Sequence, residues 1–269
     1  MAIRFAYFPF DIPITLDGSS YFWYAIDMSI LGHFPLGYNF PNNGWPAVLS
    51  FFFSLFHFTN FMDYMYLQRS LSITLSVLTM IPVYFLCSKF FERKIAIICT
   101  MLFVLEPKII LNSLLGITEP LFILLGTTAL SLFLSDNRKL VYTSFAILGL
   151  FTLVRYEGFL LIIPFSIMFL IRFRMEGRKT VLRYFIAISL FTIAILPMSY
   201  VRTETTGNDG VISHVSAGPG YYQHVIMDSE SPPQKIIFNL IVTGIVNLIK
   251  YLGWSMIPIF FYFIPIGIK

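Results

Sequence analysis

Apolar runs of about 18 residues or more, the length a helix needs to cross a bilayer, recur along this chain and are separated only by short clusters of Lys, Arg, Asp and Asn. The runs fall near 66–88, 95–111, 119–135, 140–154, 158–172, 181–201 and 251–268. That pattern marks membrane spans rather than a large buried core. Charged residues make up 12% of the chain and hydrophobic ones 57%, against about a quarter charged in an ordinary soluble domain. So few charges cannot coat a globule of 269 residues. The expected fold is all-α, a polytopic transmembrane helical bundle, and a water-soluble globular fold is excluded.

The placement of charge predicts orientation. Segments 89–94, 136–139 and 172–183 carry Lys89, Arg93, Lys94, Arg138, Lys139, Arg172, Arg174, Arg178, Lys179 and Arg183, and are expected on the cytoplasmic side. Connections 1–65, 106–119, 155–157 and 202–235 then lie outside, with nearly all the acids and all four histidines, His33, His57, His214 and His224. A multi-pass protein of the plasma membrane is expected, in contact with membrane lipids. The net charge of +4 reflects this sorting, and no nucleic-acid partner is expected. Cys87 and Cys99 lack CxxC spacing, so neither a disulfide framework nor a zinc site is indicated. The opening MAIRFAYFPF is too short for a signal peptide and lacks a small-residue cleavage site. An apolar run also ends abruptly at Lys269, so material is expected to be missing at one or both ends.

Within the external segment 11–65, the stretch Tyr21–Leu31 places apolar side chains on one face at helical spacing, and it is expected to lie along the interface. A second interfacial helix is expected from Trp45-Pro46 through Phe58, after the loop PNNGWP. Leu16-Asp17-Gly18-Ser19-Ser20 looks like a helix start, in which Asp17 serves as an N-cap or as a functional acid. Glu119 and Glu157 stand at the edges of long apolar runs, where a charge costs several kcal/mol unless it is paired or faces a cavity. Such acids mark a site. Glu119, just before Pro120, also suits a helix start through the helix dipole. In the 202–235 loop, His214, His224, Asp209 and Asp228 offer metal ligands or simply solvated polarity.

The order of these pieces resembles a known class. It runs from Leu16-Asp17-Gly18-Ser19-Ser20-Tyr21-Phe22 through two interfacial helices to Arg69-Ser70-Leu71, which opens a span ending in Phe90-Phe91-Glu92-Arg93-Lys94. Gly116-Ile117-Thr118-Glu119-Pro120-Leu121-Phe122 then opens another span, and Leu153-Val154-Arg155-Tyr156-Glu157-Gly158 joins the next two. Over roughly residues 11–200 this resembles the polyprenyl-phosphate-sugar-dependent glycosyltransferases of the GT-C class, which includes protein O-mannosyltransferases and the lipid A aminoarabinose transferase. The resemblance implies a catalytic region over 1–201, an external loop over 202–235, and an interfacial helix with a last span over 236–269. Relatives begin with a full span that is expected to be missing here. Many of them also carry a second acid where Gly18 follows Asp17, which leaves a divalent metal open and no metal ligand assigned.

By resemblance, an external acid deprotonates an acceptor hydroxyl, which displaces the lipid phosphate from the anomeric carbon with inversion. Asp17 fits that base by position; Asp11 is the alternative, and Asp27 a more distant one. The phosphate gathers negative charge as its bond breaks, so it needs cations nearby. Arg69 and Arg155 are the candidates, since a guanidinium holds phosphate oxygens bidentately. Arg155 reads equally as the partner of Glu157 or Glu119 in an ion pair, and Arg69 as a snorkelling interfacial residue. Glu119, Tyr156 and Glu157 are supporting residues, and Trp23 and Trp45 either line sugar or lipid or form an aromatic belt. The expected partners are a dolichyl- or undecaprenyl-linked sugar donor and a protein, lipid or glycan acceptor. A transporter or flippase, or an inactive assembly subunit, are the competing classes. A transporter would show broken helices in repeated halves, and no internal repeat is present.

Overall fold

In a computed structural model the chain divides into two units, Met1–Val215 and Ser216–Lys269. The described residues are 2–36, 42–174, 177–213, 242–247 and 249–250, and all regular structure among them is helical. In the second unit, 242–247 and 249–250 are helical. The expected span at 251–268, together with His214, His224 and Asp228, lies outside the described residues.

The first unit runs as α1 (Ala2–Ala6), α2 (Asp17–Leu31), α3 (Gly44–Leu55), α4 (Phe61–Leu78), α5 (Met80–Cys87), α6 (Arg93–Val104), α7 (Pro107–Leu114), α8 (Glu119–Phe133), α9 (Arg138–Val154), a 3-10 turn (Tyr156–Leu161), α10 (Ile162–Phe173) and α11 (Arg178–Thr206). Local chemistry sets several ends. Asn60 accepts from Met62 N (3.0 Å), Glu106 from Ile109 N (2.7 Å) and Asn137 from Lys139 N (3.0 Å), each satisfying an open amide of a first turn. At the other ends, Gly32 closes α2 and Gly207 closes α11, both in the left-handed conformation.

Among the described residues three continuous helical stretches are long and apolar enough to cross a membrane: Phe61–Cys87, Tyr156–Phe173 and Arg178–Thr206. A fourth candidate, α6 with α7, is bent by 48°. The bend falls at Glu106-Pro107, because proline lacks an N–H and holds its predecessor out of the helical region; Glu106 is extended, at φ −60° and ψ 125°. The runs expected at 119–135 and 140–154 form helices of 15 and 17 residues. α3 also stops at Leu55, short of the expected Phe58. There the Tyr64 hydroxyl takes over the backbone, donating to Phe56 O (3.0 Å) and accepting from Phe58 N (3.1 Å).

Two large apolar clusters hold the unit, with a third, small one at Phe8, Ile73 and Leu114. One joins α2, α3 and α4 through Phe22, Trp45, Leu49, Phe53 and Met65, reaching Leu121 and Val154. The other joins α8, α9, α10 and α11 through Phe133, Phe145, Phe151, Phe165, Phe169 and Phe191. Between α2 and the 114–118 connection the contact is backbone to backbone. A Cβ on Gly18 would stand 2.5 Å from Leu115 O and from Ile14 Cγ2. Gln68 Nε2 donates both to Gly18 O (3.0 Å) and to Gly116 O (2.7 Å), and Trp45 Nε1 donates to Gly116 O (2.9 Å). Gly116 itself needs its positive φ of 69° to turn this carbonyl inward. A side chain at position 18 therefore needs Ile14 and the Leu115 carbonyl to move. Gly18→Ala is expected to destabilise the protein by about 1–3 kcal/mol through overpacking, read as a lower unfolding midpoint of the detergent-solubilised chain.

Candidate active site

The start of α2 is unusual. Leu16, not Asp17, takes the cap position, at φ 54° and ψ −137°, with no side-chain capping bond. A non-glycine residue there carries strain of about 1–3 kcal/mol, and such strain concentrates at functional sites. Asp17 is the first helical residue and is exposed, so its carboxylate is not used up as the N-cap that the sequence allowed.

One turn on, at the spacing that puts two side chains on the same face, lies the buried Tyr21. Burial raises its phenol above the ordinary value. The hydrogen bond from Asn42 and the charge of Arg155 pull it down, while the Asp17 and Glu119 carboxylates push it up. Tyr21 is therefore a neutral donor at physiological pH, within electrostatic reach of three of the expected site residues. Asn42, also buried, donates to the Tyr21 hydroxyl (3.5 Å) and accepts from the Tyr156 amide (3.4 Å), tying α2 to the turn after α9.

That turn holds Arg155. α9 ends at Val154 and Arg155 is extended, at φ −145° and ψ 121°, before the 3-10 turn begins. Gly158 packs so closely on Phe151 that a Cβ would meet its ring at 2.6 Å. Arg155 Nη1 lies 2.9 Å from Glu119 Oε1 and Nη2 lies 3.1 Å from Glu157 Oε1. Its guanidinium carbon sits 5.7 Å over the Phe122 ring, and Thr118 Oγ1 donates to Glu119 Oε2 at 3.3 Å. Burial lowers the Arg155 pKa, but Glu157 and Glu119 outweigh it and the net shift is upward. The side chain of Arg155 is 30% exposed and those of Glu119 and Glu157 31% and 42%, so the group sits at a rim that an anion can reach.

Two residues beyond Glu157, Phe159 begins the wall of a groove of about 570 Å³, lined by Ile162, Phe191 and Ile195 along its length and by Ser199 and Asp209 at one end. Asp209 accepts from Ile212 N (2.7 Å) and Ser213 N (2.8 Å). Burial raises its pKa, but the Ser213 hydroxyl and the backbone amides of 211–213 more than offset that and hold it below the usual value.

The other expected residues go elsewhere. Arg69 is 4% exposed and donates to four backbone carbonyls, those of Pro9 (2.9 Å), Ile12 (2.6 Å), Pro13 (3.2 Å) and Leu114 (3.2 Å). It ties the 9–13 loop to α7 rather than facing a ligand. Asp11 is exposed on that loop, and Asp27 stands about 15 Å along α2 from Asp17. Trp45 is wholly buried, so neither an aromatic belt nor a sugar wall uses it, while Trp23 is 44% exposed and packs on Phe22 and Phe61. Among the described residues no three His, Cys, Asp or Glu side chains gather as a metal site. Tyr21 and Asn42 were not expected; the one-turn spacing from Asp17 was the available signal for Tyr21, and nothing local signalled Asn42.

No protein-family model, no curated protein and no solved structure matches the chain.

Arg69→Lys is expected to lower stability by about 1–3 kcal/mol, since a lysine cannot reach all of these buried acceptors. A thermal unfolding series checks this. A weakened interaction with a phosphate ligand at unchanged stability would instead make Arg69 a ligand contact.

Proposed function

We propose that this chain is a multi-spanning membrane glycosyltransferase that moves a sugar from a polyprenyl-phosphate donor to a hydroxyl acceptor at the face bearing Asp17. The observation that carries the reading is one guanidinium, Arg155, held between two carboxylates and followed four residues on by Phe159 in the wall of a long apolar groove, with the exposed acid Asp17 one helical turn from Tyr21, which feels the charges of Asp17, Arg155 and Glu119.

In the reaction the acceptor oxygen bonds to the anomeric carbon from the side opposite the phosphate, and its proton passes to Asp17. The anomeric C–O bond to phosphate breaks, inverting the sugar and releasing the polyprenyl phosphate. That phosphate goes from one negative charge as a diester to two as a monoester. A cation at the phosphate is therefore stabilising chiefly in the transition state, the condition under which binding raises kcat. Arg155 meets it once a carboxylate yields its place, and Glu157, the more exposed of the two, is the one displaced. The apolar groove takes the first isoprene units. The basic loops lie on the cytoplasmic side of the plasma membrane, which places Asp17, Glu119 and Arg155 at the external face. The acceptor is a protein, lipid or glycan hydroxyl.

Membranes containing the chain, incubated with a panel of radiolabelled polyprenyl-phosphate sugars, are expected to transfer label. Asp17→Asn should reduce turnover by at least about 10²-fold, the usual contribution of a general base, with insertion unchanged. Arg155→Lys keeps the charge but loses the fork, so it should lower kcat more than it raises KM. Turnover that survives Asp17→Asn, or a panel with no active donor, counts against the reading.

A further inference from the structure

α8 starts at the site with Glu119 and α10 follows the Arg155 turn, so Phe133 and Arg172 lie at the far ends of these helices. There Arg172 Nη1 donates to Phe133 O (2.5 Å) and Nη2 to Ser135 O (2.6 Å), satisfying carbonyls that the end of α8 leaves open. Asp136 bridges two cations, with Oδ1 3.8 Å from Arg172 Nη2 and Oδ2 3.7 Å from Lys89 Nζ. Arg138 and Lys139 follow directly at the start of α9. Two basic side chains thus meet at one acid whose side chain is 97% exposed, and an ion pair so open to solvent binds its partners weakly.

Beside this cluster a second groove, of about 310 Å³, runs between α8 and α10, lined by Phe133, Leu134, Met168, Ile171 and Arg172. Its wall is apolar except for the guanidinium at the rim. Ile171 is 62% exposed and Met168 44%, so the groove opens outward from the helices.

We infer that this groove is a binding site for an anionic phospholipid of the surrounding membrane, with one acyl chain along Leu134, Met168 and Ile171 and the phosphate paired with Arg172 and Lys89. The complementarity is twofold: an apolar slot for a chain, and an excess of cations where that chain would reach its headgroup. Basic pockets between membrane helices recognise lipid headgroups in this way. A phosphate displaces the exposed Asp136 carboxylate readily, because it presents more oxygens to the same two cations and its chain is anchored alongside. Soluble phosphate lacks that anchor. The inference is independent of the sugar chemistry proposed above.

Native mass spectrometry of the detergent-purified full chain, titrated with equal amounts of phosphatidylglycerol and phosphatidylcholine of identical acyl chains, tests it. The wild type is expected to retain one phosphatidylglycerol in preference by about fivefold or more, the gain from one basic side chain at a lipid headgroup. Lys89→Gln should reduce that preference, and Ile171→Trp, which fills the slot, should reduce retention of phosphatidylglycerol itself. Both positions face outward, so the core does not depend on them. Equal retention of the two lipids, a preference that Lys89→Gln leaves intact, or retention that Ile171→Trp leaves intact, overturns the assignment.

Discussion

An open backbone carbonyl inside an apolar helical assembly costs several kcal/mol, and the carbonyl of Gly116 sits at the point where three segments of this protein meet. Gln68 from α4 and Trp45 from α3 both donate to it, and the same Gln68 amide holds the Gly18 carbonyl of α2. This knot fixes the first turn of α2 against the connection that leads into Glu119. Together with Asn42, which ties α2 to the turn after α9, it sets where Asp17 stands relative to Arg155. Arg69 does the same for the preceding loop, gathering carbonyls from residues 9, 12 and 13 onto α7. The polar side chains at 45, 68 and 69 serve the backbone, which is why they are buried in a chain with so few charges.

The site side chains follow a different rule. Arg155, Glu119 and Glu157 are only partly buried, and one guanidinium is shared by two carboxylates, leaving the group one negative charge in excess. Such a triad is satisfied when empty and can still trade one carboxylate for a phosphate. The strained Leu16 and the close packing around Gly18 set Asp17 apart as a single exposed acid at the head of α2. In the proposed reaction this division of labour keeps the base free while the cation is held in place.

Much of this was legible beforehand. The helices at 119–133, 138–154 and 178–206 coincide with apolar runs bounded by Pro120, Asn137 and Gly207, signals that act within a few residues. The pairing of Arg155 with Glu119 was one of two readings open, because charges at the edges of apolar runs demand partners. The bend at Glu106-Pro107 broke a run that hydropathy alone joined. Trp45 and Arg69 were misplaced for a different reason: their partners, Gly116 and Leu114, are 71 and 45 residues away. Nothing local announces a backbone carbonyl as the destination of a tryptophan or an arginine. Asp17 failed as a cap because the backbone at Leu16 took an uncommon conformation that composition does not reveal.

The most direct test of the proposed donor site, with the phosphate at Arg155 and its lipid chain in the groove walled by Phe159, is photo-crosslinking. A benzophenone amino acid at position 159 would be irradiated with radiolabelled polyprenyl phosphate in membranes. Labelling that unlabelled polyprenyl phosphate competes away, and that Arg155→Gln strongly reduces, is the expected result. Labelling that resists competition, or that is unchanged without the guanidinium, would contradict a phosphate held at Arg155 with its lipid chain in the groove.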